Sequence, residues 1–180
     1  NHESPNGMGI AHDSGNAYWY FDGYYGDLVY YDFAIDHDTG YDDHSDAIVR
    51  RYSEISLTRV ANIPGHMILD KSNGILYIAD TGGDRILWVN TDDPSTTKTS
   101  MMNHNSRLEP LAEYSSMSGI EWGVFATGLN HPTGIELHGD ILLVSTNSDA
   151  KITAWNLEEN GKDGQELDSI QTSASSLMGI

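Results

Sequence analysis

Six aspartates and two histidines fall in the fifteen residues from Asp32 to Asp46. Within them Asp36, Asp38, Gly40 and Asp42 read D-x-D-x-G-x-D. Hard divalent cations take several oxygen ligands from a sharply turning loop, and glycine permits the turn. Calcium is therefore the first cation expected, held by Asp36, Asp38 and Asp42 with His44 or a backbone carbonyl beside them. An EF-hand loop would set its glycine one position later and a glutamate at the twelfth. Tyr41 follows Gly40 here and Ala47 stands where the glutamate belongs, so the segment is calcium-like without being an EF-hand. Asp36-His37-Asp38 and Asp43-His44-Ser45-Asp46 also set imidazoles beside carboxylates, a donor mix that zinc accepts as the alternative metal. No spacing matches a zinc signature. Without a cation, the segment reads as a solvated acidic loop compensated by Arg50 and Arg51.

Other chemistry is sparse. The chain has no G-x-S-x-G elbow, phosphate-binding glycine loop or H-E-x-x-H helix motif. Cysteine is absent, which excludes disulfides and thiolate metal sites. Aromatics crowd Tyr18 to Phe21 and continue at Tyr24 and Tyr25. Alternation sets Tyr18 and Tyr20 on one face of a strand and Trp19 and Phe21 on the other. Packing between sheets accounts for these four, while Tyr24 and Tyr25 are candidates for a carbohydrate or peptide platform. The 180 residues carry 9 Lys+Arg against 27 Asp+Glu, a net charge of −18. Such a charge repels nucleic-acid backbones and anionic membranes and admits cations. No apolar run approaches the ~20 residues that span a bilayer as a helix, so membrane insertion is not expected. The acidic excess suits an extracellular or secreted setting.

The elements that position these residues come from an internal repeat. Three segments align: Pro5 to Phe33, Pro64 to Asn90, and His131 to Leu157. Each reads as a short apolar strand, a tight turn, a second strand ending at Asp22, Asp80 or Thr146, another turn, and a third strand. Gly15-Asn16, Asn73-Gly74 and Gly139-Asp140 supply the positive φ that the first turns need. Fourth strands are expected over Glu54 to Ala61, Glu121 to Thr127 and Glu166 to Thr172. No window holds a helical stripe for three turns; the best, Ser106 to Ser116, is short and contains Pro110. The expected fold is all-β, with core positions at Ile10, Trp19, Leu28, Ile68, Tyr77, Ile78, Ile86, Trp88, Ile135, Leu142, Val144 and Ile152. Four antiparallel strands per unit, in series, describe the blades of a β-propeller.

The second and third segments, PGHMILDKSNGILYIADTGGDRILWVN and HPTGIELHGDILLVSTNSDAKITAWNL, resemble NHL repeats. The second keeps Gly74, Tyr77, Ile78, Asp80, Arg85 and Ile86 of that pattern. The third keeps Pro132, Gly134 and Ile135 but has Thr146 for the aspartate and Lys151 for the arginine. The first keeps Pro5, Gly9, Ile10, Gly15 and Asp22. The resemblance implies a propeller, usually six-bladed. Blades are expected at 5–62, 63–128 and 129–174. Residues 175–180 would open a fourth, because Met178-Gly179-Ile180 repeats Met8-Gly9-Ile10. Three blades are about half a ring, so the chain is expected to be part of a longer one, with two copies closing one ring as the alternative.

This frame gives two further histidines a place. His66 stands where the other units have Gly9 and Gly134, at the start of the innermost strand, and His131 precedes Pro132 at the equivalent mouth. Axial imidazoles, with His2 near them, could hold a metal, as the propeller of the peptide-amidating lyase does by analogy of fold. The reading favoured is a non-catalytic propeller that binds a protein or small ligand, with a bound cation. The alternatives are a metal-dependent lyase or hydrolase with an axial site, and a structural protein that self-assembles through open blade edges.

The acidic insertion yields the first prediction. Calcium should raise the melting midpoint, by about 2.7 kcal/mol of stability at a hundredfold excess over the dissociation constant. Asp38→Asn should blunt the effect. A midpoint unmoved by chelator, with no heat on titration, would leave the loop merely solvated.

Overall fold

The structure, a computed structural model, describes residues 4–36, 38–41, 43–100 and 110–180. The chain is all-β, with three sheets that do not close on themselves. The first sheet begins as an antiparallel run of β1 (Gly7–His12), β2 (Ala17–Asp22), β3 (Asp27–Asp32) and β4 (Ile48–Tyr52). In the second, β5 (Met67–Asp70), β6 (Ile75–Asp80) and β7 (Arg85–Asn90) pair in order. Two strands of the following insertion, β8 (Thr97–Ser100) and β9 (Glu113–Ser118), leave that sheet and extend the first one, with β9 running parallel to β4. The chain then returns as β10 (Trp122–Thr127) to pair with β7. The third sheet is β11 (Pro132–His138), β12 (Ile141–Thr146), β13 (Lys151–Leu157) and β14 (Gly164–Gln171) in sequence order.

The hairpins follow from the residues at their turns. Gly15, Gly74 and Gly139 take φ of +55°, +69° and +59°, a region costly for side-chain-bearing residues. Strand alternation then sorts the side chains. Every residue of β6 is buried, because the second sheet lies between the other two. Leu76 and Ile78 face Phe21, Leu28 and Tyr52 of the first sheet. Ile75, Tyr77 and Ile86 face Ile135, Leu142, Val144 and Trp155 of the third. Burying each large aliphatic side chain contributes about 1.5–3 kcal/mol. The buried Tyr77 hydroxyl donates to the Gly161 carbonyl at 2.6 Å, so the phenol is not left unsatisfied.

Two expectations need correction, the fourth strand of the first unit and Ile10. The fourth strand of the first unit is Ile48–Tyr52, inside the first insertion, and not Glu54 to Ala61. After Tyr52 the chain turns away from the sheet. Ile55 and Leu57 drop into the core from irregular backbone, and the Glu54 carboxylate accepts the Gly119 and Ile120 amides. The described part of the window Ser106 to Ser116 holds no helix, as expected, and joins strand β9 from Glu113 onward; residues 106–109 lie outside the described part. Ile10 is 58 % exposed, because its face of β1 borders an open cleft. Of the other expected core positions, Ile68, Trp88 and Ile152 are partly buried and the rest are buried.

Each second strand ends on a polar side chain that ties its turn. Asp22 accepts the Tyr24 amide and Arg51 Nη1, each at 2.9 Å. Asp80 accepts the Thr58 amide at 2.6 Å and Arg85 Nε at 2.7 Å. In the third unit the Thr146 hydroxyl donates to Asp149. Arg51 also reaches Asp27 at 3.0 Å and the buried Ser4 hydroxyl at 3.2 Å. Burial opposes the Arg51 charge, and hydrogen bonds to Asp22, Tyr114 and Asp27 outweigh it, so the guanidinium pKa lies above its usual value. Removing one member of a buried pair strands the other. Asp22→Ala should therefore lower stability by about 3 kcal/mol in urea unfolding, with Asp27 moderating the loss. A change below about 1 kcal/mol would mean that Asp27 alone satisfies Arg51.

Candidate ligand-binding cleft and acidic insertion

The first strands of the three units run side by side. The Gly65 amide donates to the Met8 carbonyl at 3.0 Å and the His66 amide to the Thr133 carbonyl at 2.9 Å. A Cβ on Gly9 would lie 2.0 Å from the Gly65 carbonyl oxygen, and one on Gly134 would lie 2.6 Å from the backbone of Gly179. Side chains are thus barred from this position in the first and third units. Register confirms that His66 occupies the same position: Gly9 pairs with Phe21, Gly134 with Ser145, and the His66 carbonyl accepts the Ala79 amide. In the second unit the place is open, and the imidazole enters a cleft of about 590 Å³.

That cleft is lined by Met8, Ile10, Tyr20, His66, Met67 and Ile135, with Gly7, Gly9 and Pro64 supplying backbone. Burial lowers the His66 pKa, because a half-buried imidazole loses hydration in its charged form. At neutral pH the ring is uncharged and offers one donor and one acceptor. The Tyr20 hydroxyl donates to the Ser4 carbonyl at 3.1 Å, which fixes its ring as a wall, and burial raises its pKa with a smaller contribution from Asp22. The cleft thus combines apolar side-chain walls with polar backbone, and the His66 imidazole adds a polar side-chain anchor. The sequence pointed to His66 through the break in the glycine pattern. Tyr20 and Met8 were missed as walls, although alternation had already set Tyr20 opposite Trp19 and Phe21.

His131 is placed elsewhere. It takes φ of +55°, its amide donates to Asp84 Oδ1 at 3.0 Å, and its Nδ1 is 2.7 Å from the Ser148 hydroxyl. It does not line the cleft that holds His66. Tyr24 and Tyr25 are exposed, edge to face at 4.7 Å, with the Arg51 guanidinium 4.9 Å from the Tyr25 ring centre.

The acidic insertion runs from β3 to β4. Much of its carboxylate capacity turns on its own backbone: Asp32, Asp43 and Asp46 accept the amides of Ala34, Ser45 and Ile35. Asp36 Oδ1 accepts the Asn16 side-chain amide at 2.7 Å. His44 packs against Phe33, ring centres 5.4 Å apart. Among the described residues no group of three or more His, Asp or Glu converges as a metal site. Asp42 and His37 lie outside the described residues, as do His2 and His104. Arg50 and Arg51 form ion pairs away from the insertion. Arg51 pairs with Asp22 and Asp27, and Arg50 Nε donates to Glu113 on β9 at 2.9 Å.

No protein-family model matches the chain, and no characterised protein matches it at a significant level of similarity.

The Glu113 node gives a pH prediction. Burial opposes its charge, and hydrogen bonds from Arg50 and Lys98 overcome that cost, so the carboxyl is pulled down to about 2 from an ordinary 4.5. A carboxyl depressed in the folded state stabilises the fold above its unfolded pKa and loses that contribution as pH falls through the folded one. The midpoints of the wild type and Glu113→Gln should therefore differ at pH 6 and converge as pH falls from about 4.5 toward 2. Parallel curves across that window would remove Glu113 from the acid transition.

Proposed function

We propose that the chain is a non-catalytic binding module built as part of an NHL-like β-propeller, which takes a small ligand or a partner's apolar side chain in the cleft at His66. The observation that carries this reading is the cleft itself: about 590 Å³, walled by Met8, Ile10, Met67 and Ile135, with a neutral imidazole as polar anchor. Pockets of this size, mostly apolar with few polar groups, are the usual form of small-molecule sites. The propeller reading is supported by three successive sheets with adjacent first strands, and by the glycine positions that let those strands meet. Calcium at Asp36, Asp38 and Asp42 is part of the same proposal. It is favoured by the D-x-D-x-G-x-D spacing of Asp36, Asp38, Gly40 and Asp42.

The test uses indole as a probe of the cleft. Saturable shifts are expected at the His66 ring protons and the Met8 and Met67 methyls in NMR titration. Ile10→Trp, at an exposed position on the cleft wall, should fill the space and abolish them while leaving the melting midpoint within a few degrees. Shifts that persist undiminished in Ile10→Trp would place indole elsewhere and overturn the cleft as the binding site.

A further inference from the structure

A second cavity, of about 260 Å³, lies beside the acidic insertion, lined by Asn16, Tyr18, Phe33, Ile35, Asp36 and His44. Three of these are rings set at an angle to one another. Tyr18 and Phe33 are 6.3 Å apart at 57°, and Phe33 and His44 are 5.4 Å apart at 58°. Phe33 is held by Tyr31, which lies parallel to it at 5.7 Å. Tyr18 is buttressed by the edge contact with His12 at 5.4 Å. The carboxylate in the lining is held as well, since Asp36 accepts the Asn16 amide at 2.7 Å. Among the described residues no Lys or Arg lines the cavity.

We propose that this cavity is an aromatic cage for a quaternary or methylated ammonium group. Ring faces carry the negative part of the aromatic quadrupole and attract a cation that has been stripped of water. The Asp36 carboxylate adds a full negative charge at the wall, and the net charge of −18 concentrates cations around the chain. Among the described lining residues one carboxylate, Asp36, stands among rings, a set that suits an organic cation, so an ammonium group here competes with calcium for Asp36. The volume falls below the ~300 Å³ at which sites for drug-sized ligands begin, which suits a single head group with its methyls. Ile35, 78 % exposed, supplies the apolar rim over which those methyls slide. Phosphocholine should bind less well than choline, because its phosphate meets the surrounding aspartates. This site is independent of the His66 cleft and stands or falls without it.

The test is an NMR titration of the full chain with choline, in chelator-treated buffer of low ionic strength. Saturable shifts are expected at the Tyr18, Phe33 and His44 ring protons. The uncharged isostere 3,3-dimethylbutan-1-ol should bind about tenfold more weakly, since it keeps the shape and loses the charge. Asp36→Asn, at an exposed position that leaves the fold intact, should weaken choline at least about fivefold; Phe33→Leu should do the same if it remains folded. A peptide bearing one trimethyl-lysine distinguishes the sources: tighter binding than choline assigns the group to a protein partner, weaker binding to a free metabolite. Equal affinity for choline and its isostere, an Asp36→Asn variant that binds choline as the wild type does, or no shifts with either ammonium probe, would each overturn the proposal.

Discussion

A buried carboxylate at the end of a second strand, tied to an arginine, holds the first two sheets in shape. Asp22 and Asp80 are both fully buried, and each stops its strand by accepting a backbone amide and a guanidinium at once. Neither role is separable from the other. At Asp22 the Tyr24 amide closes the following turn, at Asp80 the Thr58 amide ties in the irregular segment before β5, and at both the arginine makes a buried negative charge tolerable. The partners differ in origin. Arg85 stands five residues after Asp80, whereas Arg51 reaches Asp22 from β4, 29 residues on. The first sheet therefore depends on a strand inserted behind an acidic loop, and Ser4 is fastened to the same guanidinium.

This arrangement explains the asymmetry of the two open flanks. On the first sheet, the outer face covers Val29, Tyr31 and Val49 with Tyr114 from the second unit's insertion. The face carries its own small core and the buried Ser4 node, in which Tyr31 donates to the Ser4 hydroxyl at 2.8 Å. The outer strand of the third sheet, β14, is by contrast exposed along nearly its whole length, with Leu167 and Ile170 in the open. One side of the array of three sheets thus carries a covering strand pair and a small core of its own, and the other ends on an exposed strand.

Much of this was legible from the residues. The hairpins follow Gly15-Asn16, Asn73-Gly74 and Gly139-Asp140, where the turn chemistry is local. The two-sided burial of the second sheet follows from its unbroken apolar run Ile75 to Ala79. What misled was alternation without a sheet. Glu54-Ile55-Ser56-Leu57 has the period of a strand, yet Ile55 and Leu57 reach the core from irregular backbone. The true strand hides two arginines, one of them buried, which no hydropathy pattern marks as core. Of the candidate site, His66 was visible because a bulky residue replaces a glycine. The separation of His66 from His131, and the meeting of Asn16 with Asp36 across 20 residues, depend on tertiary placement that spacing alone does not encode.

The parallel pairing of β9 with β4 has a consequence for how the chain comes to be folded. Linear repeat arrays draw their contacts from neighbours in sequence, so they can grow unit by unit. Here the first sheet receives its fifth strand from a segment that follows the third strand of the second, with Arg50 and Glu113 meeting across 63 residues. Closing that loop costs entropy before the contact rewards it, which slows folding and raises its cooperativity. During synthesis the first unit waits, incomplete, until residue 118 has emerged. The third sheet, stitched in plain sequence order, carries no such dependence.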